Sequence, residues 1–454
     1  MKIVSISTSD IGGGAERVAW LLFQAYRARG HHAKLIVGAK HSDDTDVIEI
    51  PPRQPISAWW THVLWSLHGR LSPLENKGAG AATLRALLRA LSKGGTGIAS
   101  ALGYEDFDFP ASRRITQQET ASTDIVHVHN LHGNYFDLRY LQALSRRRPV
   151  VLTLHDMWML TGHCAYSLDC ERWQAGCGGC PDLGLYPALE RDNTAVNWRR
   201  KRQIYQRSRL YVVTPSRWLM AQVEQSMVQP IAFRVIPNGV DLSVFRTVDR
   251  TRVRKALGLP IDASILLFVA NGAAENLYKD YTTIRAAVAQ VALNWCSKQP
   301  LVFLALGSRA AQQEVVNGAD IRHIAYCSDP LIVAQYYQAA DIFLHAARAD
   351  TFPNTILEAQ ACGTPVIATA IGGVPDQLDD EVTGFLTPPG DSGAMASRTI
   401  QLLTHAEMRQ RMALEAAEKA RRCFDLQRQV DEYLNWFQWI LDAHANGGYS
   451  MRTV

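Results

Sequence analysis

Short apolar, β-branched runs recur along the chain and are separated by segments long enough for helices. The first series lies at residues 2–7, 33–37, 125–129, 150–154, 211–214 and 233–236. A second series follows at residues 265–270, 301–306, 321–326, 341–344 and 365–369. Because strands that alternate with crossover helices form parallel sheets, the pattern predicts an α/β protein with two doubly wound, Rossmann-like domains.

The boundary between the two series is predicted at Pro237-Asn238-Gly239-Val240-Asp241, because Pro and Asn-Gly interrupt regular structure. This places the first domain at residues 1–240 and the second at residues 241–429. A helix over residues 430–454 is expected to complete the first domain.

Residues 42–120 form an insertion that is longer than an ordinary connection between strands. Within it, helical spacing would gather apolar side chains on two stripes: Ile56, Trp59, Trp60, Val63, Leu64 and Leu67, and then Leu84, Leu87, Leu88 and Leu91. Two helices that cover a domain surface would explain the stripes, and so would contact with a membrane interface. The basic run at residues 199–202 is likewise either a solvated helix face or a surface for anionic lipid or phosphate.

Composition describes a packed, enzyme-sized protein. Of 454 residues, 47% are hydrophobic and 20% charged, and the net charge of +4 is too small for a dedicated nucleic-acid binder. No apolar run reaches the roughly 18 residues that indicate a transmembrane helix. Since the first residues resemble a strand rather than a signal peptide, we expect a cytoplasmic location, with peripheral contact at the inner face of the membrane as an open alternative.

Four of the eight cysteines cluster with the spacing C-x5-C-x6-C-x2-C, at Cys164, Cys170, Cys177 and Cys180. Four thiolates in a reducing compartment suit tetrahedral Zn²⁺, so the spacing predicts a structural zinc site. Free thiols, disulfides and an iron–sulfur cluster remain alternatives. A catalytic zinc is not expected, because four cysteines would close the coordination sphere.

A glycine-rich turn, Gly12-Gly13-Gly14, follows the first strand and precedes a helix. Glycines let the backbone approach a ligand, and a helix start favours an anion, although a tight strand-to-helix turn would explain the same residues. The second predicted strand ends at Val37-Gly38-Ala39-Lys40 without the acidic residue of a nicotinamide-binding fold. The missing acidic residue therefore argues against a dehydrogenase.

The second domain carries an ordered set of motifs. It contains Asp350-Thr351-Phe352-Pro353-Asn354-Thr355-Ile356-Leu357-Glu358, then Ala361-Cys362-Gly363-Thr364-Pro365-Val366-Ile367, and then Gly372-Gly373. This stretch resembles the donor-binding signature of the family 4 retaining glycosyltransferases, which have the GT-B fold. Further matching motifs fall in the expected order at residues 12–16, 153–156, 215–216, 237–241 and 384–386.

The resemblance implies two Rossmann-like domains that face a cleft. It implies a retaining, metal-independent transfer of a sugar from a UDP- or GDP-linked donor to a glycan or lipid-linked glycan, as in polysaccharide biosynthesis. A phosphorylase, synthase or epimerase of the same fold, or a non-catalytic binding module for a sugar nucleotide or zinc, remains an alternative. Oligomeric state is not predicted.

The resemblance also assigns roles to individual residues. Glu358 would bind the ribose hydroxyls, and Asp350, where the family usually has Glu, would face the transferred sugar. Lys279 would stabilise the departing diphosphate, and His155 would position the donor. Other donor-binding candidates are Gly13, Gly14, Asn271, Gly272, Phe352, Pro353, Asn354, Thr355 and Gly373. Acceptor-side candidates are Glu16, Arg17, His129 and Asp156. The Arg that the family places before the Lys is missing, and Asn271, Arg348 or Arg17 are the candidates to replace it.

Overall fold

The computed structural model describes residues 1–51, 99, 102–272 and 276–445. The chain divides into two compact units. The first comprises Met1–Thr214, Met220–Arg234 and Phe437–Val454, and the second comprises Pro215–Leu219 and Val235–Trp436. The chain therefore leaves the first unit a few residues before the predicted boundary at residue 240, and returns to it at residue 437 rather than 430.

The first unit is built on a seven-stranded sheet with the order β3-β2-β1-β4-β5-β6-β7. Its strands are β1 (Lys2–Ser9), β2 (His32–Ala39), β3 (Val47–Glu49), β4 (Ile125–Val128), β5 (Val150–Thr153), β6 (Leu210–Thr214) and β7 (Ala232–Val235). Every pairing among β1 to β6 is parallel. The sheet confirms the predicted fold class and adds β3, which lies inside the predicted insertion.

The second unit contains another seven-stranded sheet, with the order β10-β11-β9-β8-β12-β13-β14. Its strands are β8 (Ser264–Val269), β9 (Leu301–Ser308), β10 (Gln312–Val316), β11 (Ala319–Ala325), β12 (Ile342–His345), β13 (Val366–Thr369) and β14 (Gly384–Thr387). All pairings are parallel except that of β10 with β11. This sheet is doubly wound, as predicted, with one antiparallel strand at its edge.

Helices connect most of these strands. In the described part of the chain they are α1 (Gly14–Ala28), α2 (Pro110–Glu119), α3 (Leu141–Arg147), α4 (Thr194–Gln206), α5 (Arg217–Glu224), α6 (Arg250–Ala256), α7 (Tyr281–Leu293), α8 (Pro330–Ala339), α9 (Asn354–Ala361), α10 (Ser392–Thr404), α11 (Ala406–Cys423) and α12 (Leu426–Ala445). Four helices of the second unit begin where an aspartate side chain accepts a hydrogen bond from a backbone amide, at Asp249, Asp280, Asp329 and Asp391. Such N-caps satisfy amides that lack a partner within the helix.

The second sheet is buried on both faces, as alternating residues of β8 show. Ile265 and Leu267 belong to one apolar cluster, whereas Leu266 and Phe268 belong to a second. Helices that cover both faces explain why these strands are continuous apolar runs and not alternating polar and apolar positions.

Candidate active site

In the second sheet the strand order reverses between β8 and β12, and ligands of open α/β sheets bind at the carboxyl ends of strands at such a reversal. Strand β8 leads into Asn271 and Gly272, and β12 ends at His345, five residues before Asp350. The reversal therefore brings three of the predicted donor-binding residues to neighbouring strand ends.

Lys279 and Asp350 form an ion pair at this edge, and His345 lies beneath both side chains. The Lys279 ammonium donates to His345 Nε2 at 3.4 Å, and the same nitrogen lies 3.7 Å from Asp350 Oδ2. His345 is fully buried, while the side chains of Lys279 and Asp350 keep 18% and 12% exposure. The pair thus remains accessible from one side and rests on a buried imidazole on the other.

Backbone hydrogen bonds hold Lys279 opposite the segment that follows β12. The Asp280 amide donates to the Ala346 carbonyl at 3.1 Å, and the Arg348 amide donates to the Tyr278 carbonyl at 2.9 Å. Lys279 itself forms an isolated antiparallel bridge with Ala347. The position of the ammonium group is therefore determined by main-chain pairing and not only by its flexible side chain.

The charges at this site are well defined. Burial raises the pKa of the Asp350 carboxyl, but the Lys279 ammonium and His345 outweigh it and lower that pKa below its usual range. Burial and the Lys279 charge lower the pKa of His345. At neutral pH Lys279 therefore lies beside an ionised carboxylate and a neutral imidazole.

Glu358 lies on helix α9, which begins four residues after Asp350, and is 5% exposed. The helix begins after Pro353, whose carbonyl accepts a hydrogen bond from the Gln377 side chain at 2.9 Å. Gly373 packs against the preceding loop, since a Cβ atom there would lie 1.8 Å from the Thr351 carbonyl oxygen. The Gly-Gly turn is thus required for this loop to approach the start of the helix.

The other predicted donor-binding residues of this unit differ in exposure. Asn271 is exposed, and Gly272 has a φ of 64°. Phe352 is 5% exposed, and its ring lies 5.9 Å from the Phe424 ring, so the side chain is part of the core. Asn354 and Thr355 are the first residues of α9, and Asn354 Oδ1 accepts from the Asn238 side chain at 3.0 Å.

In the first sheet the strand order reverses between β1 and β4, so the carboxyl ends of these strands mark the corresponding position. Gly13 precedes α1 as its N-cap residue, and Gly14 is the first residue of the helix. Glu16 Oε2 lies beside Gly13, 3.0 Å from where a Cβ atom would be, and the Arg17 amide donates to the Gly13 carbonyl at 3.0 Å.

Two predicted site histidines contact each other beyond β4 and β5. His129 Nδ1 lies 3.0 Å from His155 Nε2, and the two rings stack with centroids 5.3 Å apart. Burial lowers the pKa of His129 and lowers that of His155 to about 4. Both imidazoles are therefore neutral at pH 7, and each has one donor and one acceptor nitrogen.

Asp156 pairs with His132, which the sequence analysis did not select. His132 Nε2 lies 2.8 Å from Asp156 Oδ2, and the Trp158 amide donates to Asp156 Oδ1 at 2.8 Å. Burial lowers the pKa of His132, but the Asp156 carboxylate outweighs it and raises that pKa. His132 and His345 were missed because a histidine at a strand end has no distinctive spacing.

The interpretation of residues 199–202 as a solvated or lipid-facing basic run is wrong for Lys201. This residue is fully buried, and its ammonium lies 2.8 Å from Glu105 Oε2 and 3.6 Å above the Trp158 ring. It also donates to the carbonyls of Trp158 and Thr161 at 2.9 and 3.2 Å. The helical spacing of Lys201 with buried Tyr205 was the available signal.

The predicted zinc site is not supported. Among the described residues, no group of three or more His, Cys, Asp or Glu side chains has an arrangement that could hold a metal ion. Instead, Cys177 Sγ accepts from the Gly162 amide at 3.2 Å, and Cys180 Sγ lies 3.3 Å from His163 Nε2. Burial raises the pKa of Cys164 to about 12 and that of Cys177 to about 11, so both side chains are thiols as they stand in this structure.

The two predicted amphipathic helices, with Trp59 and Trp60 in the first and Leu84 to Leu91 in the second, lie outside the described residues. Within the described part, no helix has both the length and the apolar character needed to cross a bilayer.

Two family models match the chain. The model described as Glycosyltransferase Family 4 matches residues 98–244, and the one described as Glycosyl transferases group 1 matches residues 263–405. The chain is also 26% identical over 349 residues to the putative colanic acid biosynthesis glycosyl transferase WcaC of Escherichia coli K12, a match that covers 72% of this chain and 78% of WcaC.

Two solved structures with similar folds cover nearly the whole chain. Sucrose-phosphate synthase from Thermosynechococcus elongatus has a TM-score of 0.66 at 19% identity and covers 97% of this chain and 99% of its own. Anabaena HepE in complex with UDP-glucose has a TM-score of 0.60 at 18% identity, with 96% and 99% covered. At such identities the likeness describes the fold, which is the two-domain GT-B architecture.

Proposed function

We propose that this chain, a glycosyltransferase with the family 4 and group 1 domains, transfers a hexose from a UDP- or GDP-linked donor to a hydroxyl group of a glycan or lipid-linked glycan. The likeness to a transferase named for colanic acid biosynthesis supports a role in making a polysaccharide. HepE, which shares the fold, was solved with UDP-glucose, and this supports a nucleotide sugar as donor.

The Lys279–Asp350 ion pair above His345 is the observation that carries the proposal. Cleavage of the bond between sugar and diphosphate develops negative charge on the leaving group, and Lys279 supplies a fixed positive charge to stabilise it. Asp350 is ionised and accepts hydrogen bonds from sugar hydroxyls, and Glu358 accepts from the ribose. The donor loop at residues 352–355, together with Asn271, Gly272 and Gly373, surrounds the same donor.

We further propose that the anomeric configuration is retained by transfer on one face of the sugar. The bond from the anomeric carbon to the phosphate oxygen breaks, a bond to the acceptor oxygen forms on that face, and the departing phosphate oxygen takes the acceptor proton. No protein base or catalytic metal is then required, so the enzyme acts by positioning and charge stabilisation. His155 positions the donor, while Glu16, Arg17, His129 and Asp156 act on the acceptor side.

Calorimetric titration with UDP and with GDP tests the donor assignment. Glu358→Gln removes a charged hydrogen-bond acceptor, and such a bond contributes about 1.5–3 kcal/mol, so nucleotide affinity should fall roughly 10- to 100-fold. Glu415→Gln is the matched control, because Glu415 is exposed on α11. Equal affinities of the wild type and Glu358→Gln would contradict the assignment.

Product analysis tests the reaction itself. Incubation with a bound donor and candidate glycan acceptors should release the nucleoside diphosphate, and the coupling constant of the new anomeric proton should match that of the donor. A chain that binds the nucleotide sugar but never transfers the sugar would instead be a binding module. Inverted product would disprove same-face transfer while leaving the donor site intact.

A further inference from the structure

Tyr186 is a large aromatic residue at the surface of the first unit that the proposed reaction does not yet use. The residue is 50% exposed, although its hydroxyl lies 3.3 Å from His132 Nδ1. The Tyr186 ring meets the His132 ring edge-to-face, with centroids 5.5 Å apart and an interplanar angle of 82°. One part of the ring is therefore anchored, while the rest is available to a ligand.

Backbone hydrogen bonds hold Tyr186 close to the acceptor-side residues. The Ala165 amide donates to the Tyr186 carbonyl at 2.7 Å, and the Met157 amide donates to the Ala165 carbonyl at 2.8 Å. Met157 directly follows Asp156 in the chain. The loop that carries Tyr186 is thus tied to the segment beyond β5, so the ring has a defined position beside the strand ends.

The polar groups around Tyr186 include both donors and acceptors. Asp156 lies on the far side of His132, at 2.8 Å from its Nε2. Burial, then the charges of Asp156 and Glu16, raise the pKa of Tyr186, so the hydroxyl stays protonated and the two carboxylates lie within electrostatic reach of it. Lys201 is the further charge that acts on His132.

We propose that Tyr186 forms a stacking platform for a pyranose ring of the acceptor, held in place by the His132–Asp156 pair. A pyranose presents an apolar face of C–H groups and a rim of hydroxyls, and a Tyr ring offers an apolar face with a polar end. Glu16 and the Tyr186 hydroxyl offer polar groups for such a rim, whereas both ring nitrogens of His132 are already paired, with Asp156 and with Tyr186. This proposal rests on the proposed transfer to a glycan and assigns one of its acceptor subsites.

Saturation-transfer NMR on the full chain tests the platform with the methyl β-glycosides of glucose, galactose, mannose and fucose. We expect transfer to the ring protons of at least one glycoside, and a dissociation constant that rises about 3- to 10-fold in Tyr186→Leu. Tyr186→Phe and Tyr186→Trp keep an aromatic face and should stay within about 3-fold of the wild type. Tyr326→Leu is the control, because Tyr326 is a 55% exposed tyrosine of the second unit.

Thermal unfolding and UDP binding of each variant separate a lost platform from a lost fold or donor site. No saturation transfer from the wild type to any of the four glycosides would overturn the proposal, and so would unchanged affinity in a folded Tyr186→Leu. If Tyr186→Trp binds the glycosides as weakly as Tyr186→Leu does, the aromatic ring is not the recognising group and the proposal is equally wrong. A chain that binds the glycosides but neither UDP nor GDP would disprove the proposed donor instead and leave the platform standing.

Discussion

Replacing Lys279 by Met removes the positive charge of the proposed donor site while nearly preserving the length of the side chain. In the wild type this charge lies against Asp350 and above the neutral His345. The substitution leaves a carboxylate of 12% exposure beside a fully buried imidazole, without its cationic partner. We therefore expect the substitution to lower both the free energy of unfolding and kcat.

The expected loss of stability follows from burial. Removing one partner of a fully buried ion pair costs about 3–5 kcal/mol, and because Lys279 and Asp350 keep some exposure we expect about 2–3 kcal/mol at pH 7.5. Loss of a fixed charge that stabilises a leaving group should lower kcat by roughly 10²- to 10³-fold. Lys279→Arg keeps the positive charge, so its losses in free energy of unfolding and in kcat should both be smaller.

The pH dependence of the same variant has a definite sign. In the wild type the pKa of Asp350 is lowered on folding, so its contribution to stability is present above the unfolded pKa of about 3.9 and is lost as pH falls through the folded pKa. Without Lys279 the free-energy cost of burying the Asp350 carboxylate remains, and protonation of Asp350 removes that cost. The difference in free energy of unfolding between wild type and Lys279→Met should therefore decrease as pH falls from 7.5 to 4.5.

Urea unfolding at both pH values, combined with Asp350→Asn and the double variant, measures the pair directly. The double-mutant cycle should return a coupling of about 1–3 kcal/mol at pH 7.5. A coupling near zero together with wild-type kcat in Lys279→Met would refute the assigned roles of both residues. A normal coupling with normal kcat would show that the pair is structural only.

Two further predictions concern the first unit. Lys201→Met leaves the Glu105 carboxylate buried without its ammonium partner, so chemical denaturation should show a free energy of unfolding that is lower by about 3–5 kcal/mol. Arg199→Met is the control on the exposed side of the same helix, and it should change the free energy of unfolding by less than about 0.5 kcal/mol. NMR titration should find the pKa of His132 above 6.5 in the wild type and below 6.5 in Asp156→Asn, where burial and Lys201 still lower that pKa and only Glu16 raises it. Because folding raises the His132 pKa, the stability that the His132–Asp156 pair contributes is complete below pH 6.5 and is lost as pH rises through the pKa of His132 in the folded protein. A difference in the free energy of unfolding between wild type and Asp156→Asn that grew with pH would contradict this prediction.

Much of the fold could be predicted from local pattern. Each strand of the two parallel sheets that is buried on both faces leaves a short apolar run, and the segments between these runs are long enough for crossover helices. Strands β3, β10 and β14 were not among the predicted strands, and β14 has only four residues and begins with Gly384. Strand β3 has only three residues, and β10 is largely exposed, so neither has a continuous apolar run.

The proposed donor site was partly predictable because several of its residues lie on one short stretch of chain. Asp350, Glu358 and Gly373 belong to a single ordered signature, and Lys279 followed from the resemblance. The contact of His345 with Lys279 could not be predicted in the same way. It arises only because residues 278–280 pair with the chain after β12.

The sequence by itself determined the two Rossmann-like sheets and the family resemblance of the stretch that we propose to bind the donor, since periodicity and short motifs are local properties of the chain. Only the tertiary structure decided which charged and aromatic side chains meet. Lys201 is fully buried because Glu105, 96 residues away in the chain, lies opposite its ammonium, and Tyr186 reaches His132 across 54 residues. The environment of a polar side chain depends on such distant partners, and no local pattern encodes them.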